Sequence, residues 1–292
     1  MAKLLFLKKG SLSRSAFDSL LSKNLVVPTN VPCFERNLFD HTCFELEIPN
    51  ILLRPELTEL RKTFASHQID VLCIDQYLDP SVLSLFCFDM DSTVIREEVI
   101  DELARKHGVF EEVSRVTKEA MEGGMAFDEA LKLRVKYLKG LSWKSFEEVY
   151  DLLTLNAGMD IVLRELPKLN NKIAILSGGF SPVLELFSKK YPIHFFKANE
   201  LEENDGTFTG KIVGEIINKE KKAYYLDQLI KNESILKSHV VAVGDGANDA
   251  LMLQTANIGI GFHAKQGLKD QILNWIDFCD MSVLLFLFRP SI

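Results

Sequence analysis

Apolar runs along this chain stop abruptly in polar or glycine-rich stretches. Leu83 to Phe88 runs into DMDST, Lys172 to Leu176 into SGG, and Val240 to Val243 into GDGAND. Short apolar runs bounded by turn residues predict buried strands, and the helical segments between them supply the crossovers that a parallel sheet needs. In such a sheet the ligand crevice lies beyond the carboxyl ends of the strands, where all three polar motifs fall. The first part of the chain alternates on a smaller scale. Leu4 to Leu7, Cys43 to Ile48 and Val71 to Ile74 read as strands, and Ser13 to Leu21 and Pro55 to Ser66 as helices. The turn signal Asp79-Pro80 closes this part. From Glu97 to Leu166 the chain is rich in Glu, Lys, Leu and Ala, with almost no β-branched alternation, which predicts inserted helices. The expected architecture is α/β: a Rossmann-like parallel-sheet core from 81–96 and 167–292, a helical cap over 97–166, and a small N-terminal α/β module over 1–80 of open role.

With 292 residues, 47% of them hydrophobic, the chain can bury a sizeable core. The 34 basic and 41 acidic residues give a formal charge of -7, which argues against a general nucleic-acid binder and means that an anionic substrate needs locally placed cations. Cys33, Cys43, Cys73, Cys87 and Cys279 show no metal-ligand spacing, the pattern of buried thiols in a reducing cytosol, so a cytoplasmic protein is expected. The apolar run near Lys3 to Lys9 is too short for a signal-peptide core. The C-terminal Val283 to Phe288 is far short of the roughly 20 residues that span a bilayer, and reads as a short docked helix rather than a membrane contact.

The chemistry concentrates in the motifs. Asp89 and Asp91, two residues apart at a strand exit, can project to one side, where one carboxylate attacks phosphorus and the other moves a proton. Ser177-Gly178-Gly179, a lysine in Lys219 to Lys222, and GDGAND from Gly244 to Asp249 follow in that order. This ordered set resembles the haloacid dehalogenase superfamily. The resemblance implies an aspartyl-phosphate on Asp89, with Asp91 exchanging acid and base roles between the half-reactions. A carboxylate attacks a phosphate dianion only when cations screen the repulsion, so Mg2+ is expected, held by Asp89, Asp245 and the backbone carbonyl of Asp91, with Asp249 bearing on the metal or its surroundings. Ser177 and Gly178 offer donors to phosphate oxygens. Spacing alone leaves Lys219, Lys221 and Lys222 in competition, and the family pattern points to Lys222.

The stretches DMDSTVIREEVIDELA, VTKEAMEGGMAFDEALKLRVKYLKG, ILSGGFSPV and VAVGDGANDALML resemble phosphoserine phosphatases of the SerB type over roughly Leu83 to the C-terminus. That resemblance implies a small-molecule substrate, O-phospho-L-serine. Glu98 would take its ammonium and Arg134 its carboxylate, Met121 and Phe127 would form an apolar lid, and Asn248 would touch the bound substrate. On residue type alone Glu98 and Arg134 are equally surface helix charges, and Met121 and Phe127 ordinary cap core. Phosphoryl transfer to another hydroxyl such as homoserine, a broad phosphomonoesterase and a non-catalytic amino-acid binder are the competing readings. Oligomeric state is left open.

Overall fold

A computed structural model describes residues 1–24 and 33–289; the side chain of Met121, the last residue of its helix, lies outside the described set. Four strands, β1 (Ala2–Lys9), β2 (Cys33–Leu38), β3 (His41–Ile48) and β4 (Ile69–Ile74), form an antiparallel sheet in the order β2-β3-β1-β4. Helices α1 (Arg14–Asn24) and α2 (Arg54–Ala65) pack on one face. The unbroken apolar run of β1 reflects burial on both sides. Leu4 and Phe6 meet Phe17, Phe44, Leu57 and Phe64, with Phe17 stacked on Phe44 at 4.2 Å between ring centroids. Leu5 and Leu7 point the other way and join Leu78, Phe86 and Phe88 in the main core, as strand alternation requires. Strand β2 is a departure from the sequence expectation. Its polar run CFERNL lies partly exposed at the sheet edge and takes strand form through pairing with β3.

The larger sheet contains β5 (Ser84–Phe88), β6 (Asn171–Phe180), β7 (Phe195–Asn204), β8 (Thr207–Val213), β9 (Val240–Gly244), β10 (Ile258–Phe262) and β11 (Asn274–Ile276), in the order β11-β10-β9-β5-β6-β7-β8. It is parallel from β11 to β7, while β8 returns antiparallel. The return is made by Asp205-Gly206, at φ 50° and 77°, between the paired Asn204 and Thr207. Two consecutive left-handed residues make the tight hairpin turn that matches strand twist. β5 lies at the centre, with Phe86 and Phe88 on one side and Leu85 and Cys87 on the other, all inaccessible to solvent. Helices α3 (Val99–His107), α4 (Phe110–Met121), α5 (Phe127–Tyr137), α6 (Trp143–Tyr150) and α7 (Met159–Glu165) lie between β5 and β6. The crossovers and connections that follow carry α8 (Ser181–Lys190), α9 (Lys219–Asn232), α10 (Ala250–Thr255) and α11 (Gln266–Lys269).

The C-terminal apolar run is docked as expected, but as a 3-10 turn, Met281–Leu287, with every residue buried and α7 packed against it. Among the described residues no helix is long and apolar enough to cross a membrane. All five cysteines are free thiols, and all but the half-buried Cys33 are buried. Polar staples tie the N-terminal sheet to the larger one. The buried Asp70 carboxylate accepts the backbone N–H groups of Asp277, Phe278 and Cys279, at 2.7, 3.0 and 2.8 Å. The Asn274 amide pairs with both backbone groups of Cys73, extending β4 as a further strand would. Arg36, beside Glu45, donates to the carbonyls of Phe286 and Phe288. Asp70→Ala leaves three N–H groups without their acceptor and is expected to cost about 3 kcal/mol. A lowered urea midpoint, with the two sheets still unfolding in one transition, is the measurement that checks it.

Candidate active site

Asp89 follows the last residue of β5, and its N–H still bonds to Val243 O at 2.9 Å, so the strand ladder fixes its backbone. The chain then turns sharply. Asp91 stays extended, Ser92 takes a left-handed conformation at φ 57°, and Ile95 N–H closes the turn on Met90 O at 3.1 Å. One side chain clamps this loop from afar: the Asn156 amide donates to the carbonyls of Ser92, Thr93 and Ile95 at 3.1, 2.9 and 3.0 Å. Asp91 in turn accepts Val99 N–H at 2.7 Å, at the start of α3. Both carboxylates are thereby aimed by backbone on either side of them.

The lysine run resolves by burial. Lys221 pairs with Glu215 and Lys219 with Glu220 at the surface, whereas Lys222 is 1% exposed. Its ammonium donates to Asp89 Oδ1 at 2.5 Å and Asp249 Oδ1 at 2.7 Å. Burial alone would lower the Lys222 pKa, but Asp249 and Asp89 outweigh it and hold the group above its usual value. The other oxygen of Asp249 accepts the N–H groups of Asp245 and Gly246, both at 3.1 Å. Gly244 makes room for it: a Cβ there would lie 2.5 Å from the Asp249 carboxyl carbon. Asn248 folds back over Gly246, where a Cβ would meet its Oδ1 at 2.4 Å.

Ser177 and Gly178 lie at the end of β6 beside this group. The Ser177 hydroxyl donates to Asp91 Oδ2 at 3.4 Å and accepts Gly179 N–H at 2.8 Å. The glycine with no room for a side chain is Gly179, where a Cβ would stand 2.9 Å from Asp91 Oδ2; Gly178 faces the Phe127 ring at an ordinary 3.5 Å. Phe127 thus reaches from the start of α5 to the Ser177-Gly178-Gly179 loop. Glu98 sits at the start of α3 and accepts the Ser92 hydroxyl at 2.8 Å. Arg134, half-buried on α5, bears electrostatically on Asp101, Glu98 and Asp91, and its Nε is buried without a partner. The structure therefore gathers Asp89, Asp91, Ser177, Gly178, Lys222, Asp245, Asn248 and Asp249 at the strand ends, with Glu98, Phe127 and Arg134 facing them from the inserted helices.

The haloacid dehalogenase-like hydrolase family matches residues 86–254. A phosphoserine phosphatase of Archaeoglobus fulgidus is 44% identical over 186 residues, 64% of this chain and 54% of the relative. The match therefore spans about half the length of that protein. A phosphoserine phosphatase of Methanocaldococcus jannaschii is 38% identical over 69% of this chain and 95% of its own length. The chain belongs to the phosphoserine phosphatase family of the haloacid dehalogenase-like hydrolases. Among solved structures, a hydrolase of that superfamily from Salmonella enterica serovar Typhi superposes with a TM-score of 0.91 at 28% identity, covering 100% of both chains. The N-terminal sheet and its docking are thus shared with a superfamily member of full matching length.

Hydrolases of this superfamily depend on a metal, and the donor set fits one. Oxygens of Asp89, Asp245 and Asp249 lie within 4.8 Å of one another. Burial, reinforced by the neighbouring Asp249, pushes Asp89 well above the ordinary carboxylate range against the pull of Lys222. Burial likewise raises Asp245, although Lys265 Nζ stands 2.9 Å from its Oδ2. The carboxylates outnumber their ammonium partners, and a compact all-oxygen set suits a hard divalent cation. Asp249, whose oxygens serve Lys222 and two backbone N–H groups, is placed to orient this set. Lys265 and Asn156 carry no motif signal; the one cue for Lys265 was its place just past the carboxyl end of the strand beside β9. Asp91 differs from its neighbours. Burial, aided by Glu98, lifts it to about 7, the range of a group that both gives and takes a proton near neutrality. A divalent cation at about 100 times its Kd adds about 2.7 kcal/mol to stability. It is expected to raise the melting midpoint of the native chain but not of Asp245→Asn, as thermal denaturation with and without the ion will show.

Proposed function

We propose that this chain is a magnesium-dependent phosphatase that hydrolyses O-phospho-L-serine to L-serine and phosphate, the closing step of L-serine biosynthesis. The observation that carries the reading is Arg134. A half-buried guanidinium with an unpartnered Nε, acted on electrostatically by Asp101, Glu98 and Asp91, supports a reading in which Arg134 takes a carboxylate and Glu98 an ammonium beside a phosphoryl site. The phosphoserine phosphatases of Archaeoglobus fulgidus and Methanocaldococcus jannaschii support the same substrate.

An Asp89 oxygen forms the bond to phosphorus as the ester oxygen leaves, and Asp91 gives that oxygen its proton. Asp91 then takes a proton from the water that attacks the aspartyl-phosphate, which releases phosphate and restores Asp89. Lys222 offsets charge on Asp89 and the phosphoryl oxygens, and the Ser177 hydroxyl and Gly178 N–H donate to those oxygens. Magnesium, held by Asp89, Asp245 and the Asp91 carbonyl with Asp249 orienting them, would supply the charge screening that lets a carboxylate approach a phosphate. Glu98 takes the substrate ammonium and Arg134 its carboxylate, while Asn248 touches the bound molecule. Residues 97–166, with helices α3 to α7, serve as a cap over the cleft, with Phe127 and Met121 as its apolar lid, excluding bulk water during turnover. The free thiols fit a cytoplasmic enzyme.

Asp89→Asn is expected to lower phosphate release from O-phospho-L-serine by roughly 10³-fold or more. Near-normal turnover would remove the nucleophile assignment. Arg134→Ala is expected to lower kcat/KM for phosphoserine by about 100-fold while changing that for an aryl phosphate by less than about threefold; steady-state kinetics on both substrates would show equal losses if Arg134 does not read the carboxylate.

A further inference from the structure

Strand pairing breaks where the Ser177-Gly178-Gly179 loop begins. β6 and β7 pair at Leu176 with Lys197 and resume at Phe180 with Asn199, so four steps along β6 answer two along β7. A bulge of this kind takes the intervening carbonyls out of the ladder and leaves them needing other partners. Asn199, wholly inaccessible to solvent, supplies them: its Nδ2 donates to Gly178 O at 2.8 Å and Gly179 O at 3.0 Å. Its Oδ1 accepts Ile217 N–H at 2.9 Å, immediately before Asn218, which caps α9 by accepting Lys221 N–H. The Asn218 carbonyl also takes Lys222 N–H at 2.9 Å. One buried amide therefore joins the Ser177 loop to the first turn of the helix that carries Lys222.

The peptide geometry extends its reach. The Gly178–Gly179 bond is trans, so holding Gly178 O from one side turns Gly179 N–H to the other, where it donates to Ser177 Oγ. That bond holds Ser177 Oγ in place, while its hydroxyl donates to Asp91 Oδ2 over a long 3.4 Å, a bond that a phosphoryl oxygen can take over when substrate is bound. We propose that Asn199 is a positioning residue for phosphoryl transfer, acting through the Gly178–Gly179 peptide to aim the Ser177 hydroxyl, and through Ile217 to keep Lys222 in register with it. It touches neither substrate nor reacting atoms, and its assignment rests on the phosphatase reading of the cleft.

The test is a double-mutant cycle of Asn199→Asp and Ser177→Ala in the full chain, read as phosphate release per folded molecule, with inhibition by inorganic phosphate and thermal unfolding alongside. Asn199→Asp keeps the shape and the acceptor but loses both donated bonds. It is expected to lower kcat/KM about 100-fold and to weaken inorganic phosphate inhibition about tenfold. In the Ser177→Ala background the same change should cost less than about threefold, since the two residues act as one unit. Asn199→Ala, which buries no charge, takes its place in the cycle if the first variant does not fold. Losses that multiply across the cycle, or activity per folded molecule within about threefold of the parent despite a lowered melting midpoint, overturn the proposal and leave Asn199 a brace of the fold. No phosphate release from the unmodified chain overturns the phosphatase reading itself.

Discussion

The ammonium of Lys222, buried between Asp89 and Asp249, is the interaction on which the arrangement of the site depends. A cation at 1% exposure is tolerable only with opposite charges in contact, and buried carboxylates need it equally. That mutual requirement pins the exit of β5, the loop after β9 and the first turn of α9 to a common point. The charges still do not balance. Asp89, Asp91 and Asp245 are all pushed upward, chiefly by burial and further by neighbouring carboxylates, a penalty on their charged forms that a bound cation would offset.

The protein holds this unfavourable cluster by making everything around it rigid. Ser92 is kept left-handed by a turn that Asn156 clamps, and Asp249 is seated by two backbone N–H groups against a glycine. β5 is buried on both faces, one of them in the core that Leu5 and Leu7 of the N-terminal sheet also join. Placing charge on loops braced by a close-packed sheet is how a site keeps geometry that its own electrostatics oppose.

Much of this was legible because it depends on patterns local in sequence. Apolar runs ending in DMDST, SGG and GDGAND located three central strands and their active ends, and the helix-rich stretch after the first of them placed the insertion. The hairpin to β8 was also written in the sequence, as Asp205-Gly206 between alternating runs, although a wholly parallel reading passed over it. β2 was not legible, because CFERNL has no apolar period and becomes a strand only when β3 offers a partner. The C-terminal run was correctly read as docked, but its 3-10 form follows from packing against α7 and the N-terminal sheet.

Within the site, the sequence by itself determined residue chemistry: which carboxylates, which hydroxyl and which glycines stand at strand ends, since strand periodicity dictates where a chain leaves a sheet. Spacing left Lys219, Lys221 and Lys222 in competition, with the family pattern favouring Lys222; the tertiary structure gave the physical reason, because burial between two distant aspartates is a property of three segments meeting. It also decided that Gly179 rather than Gly178 has no room for a side chain, and brought in Lys265, Asn156 and Asn199 from places without a motif. These residues act by reaching backbone or charge far along the chain, and a contact of that kind has no period or spacing to betray it before the chain is folded.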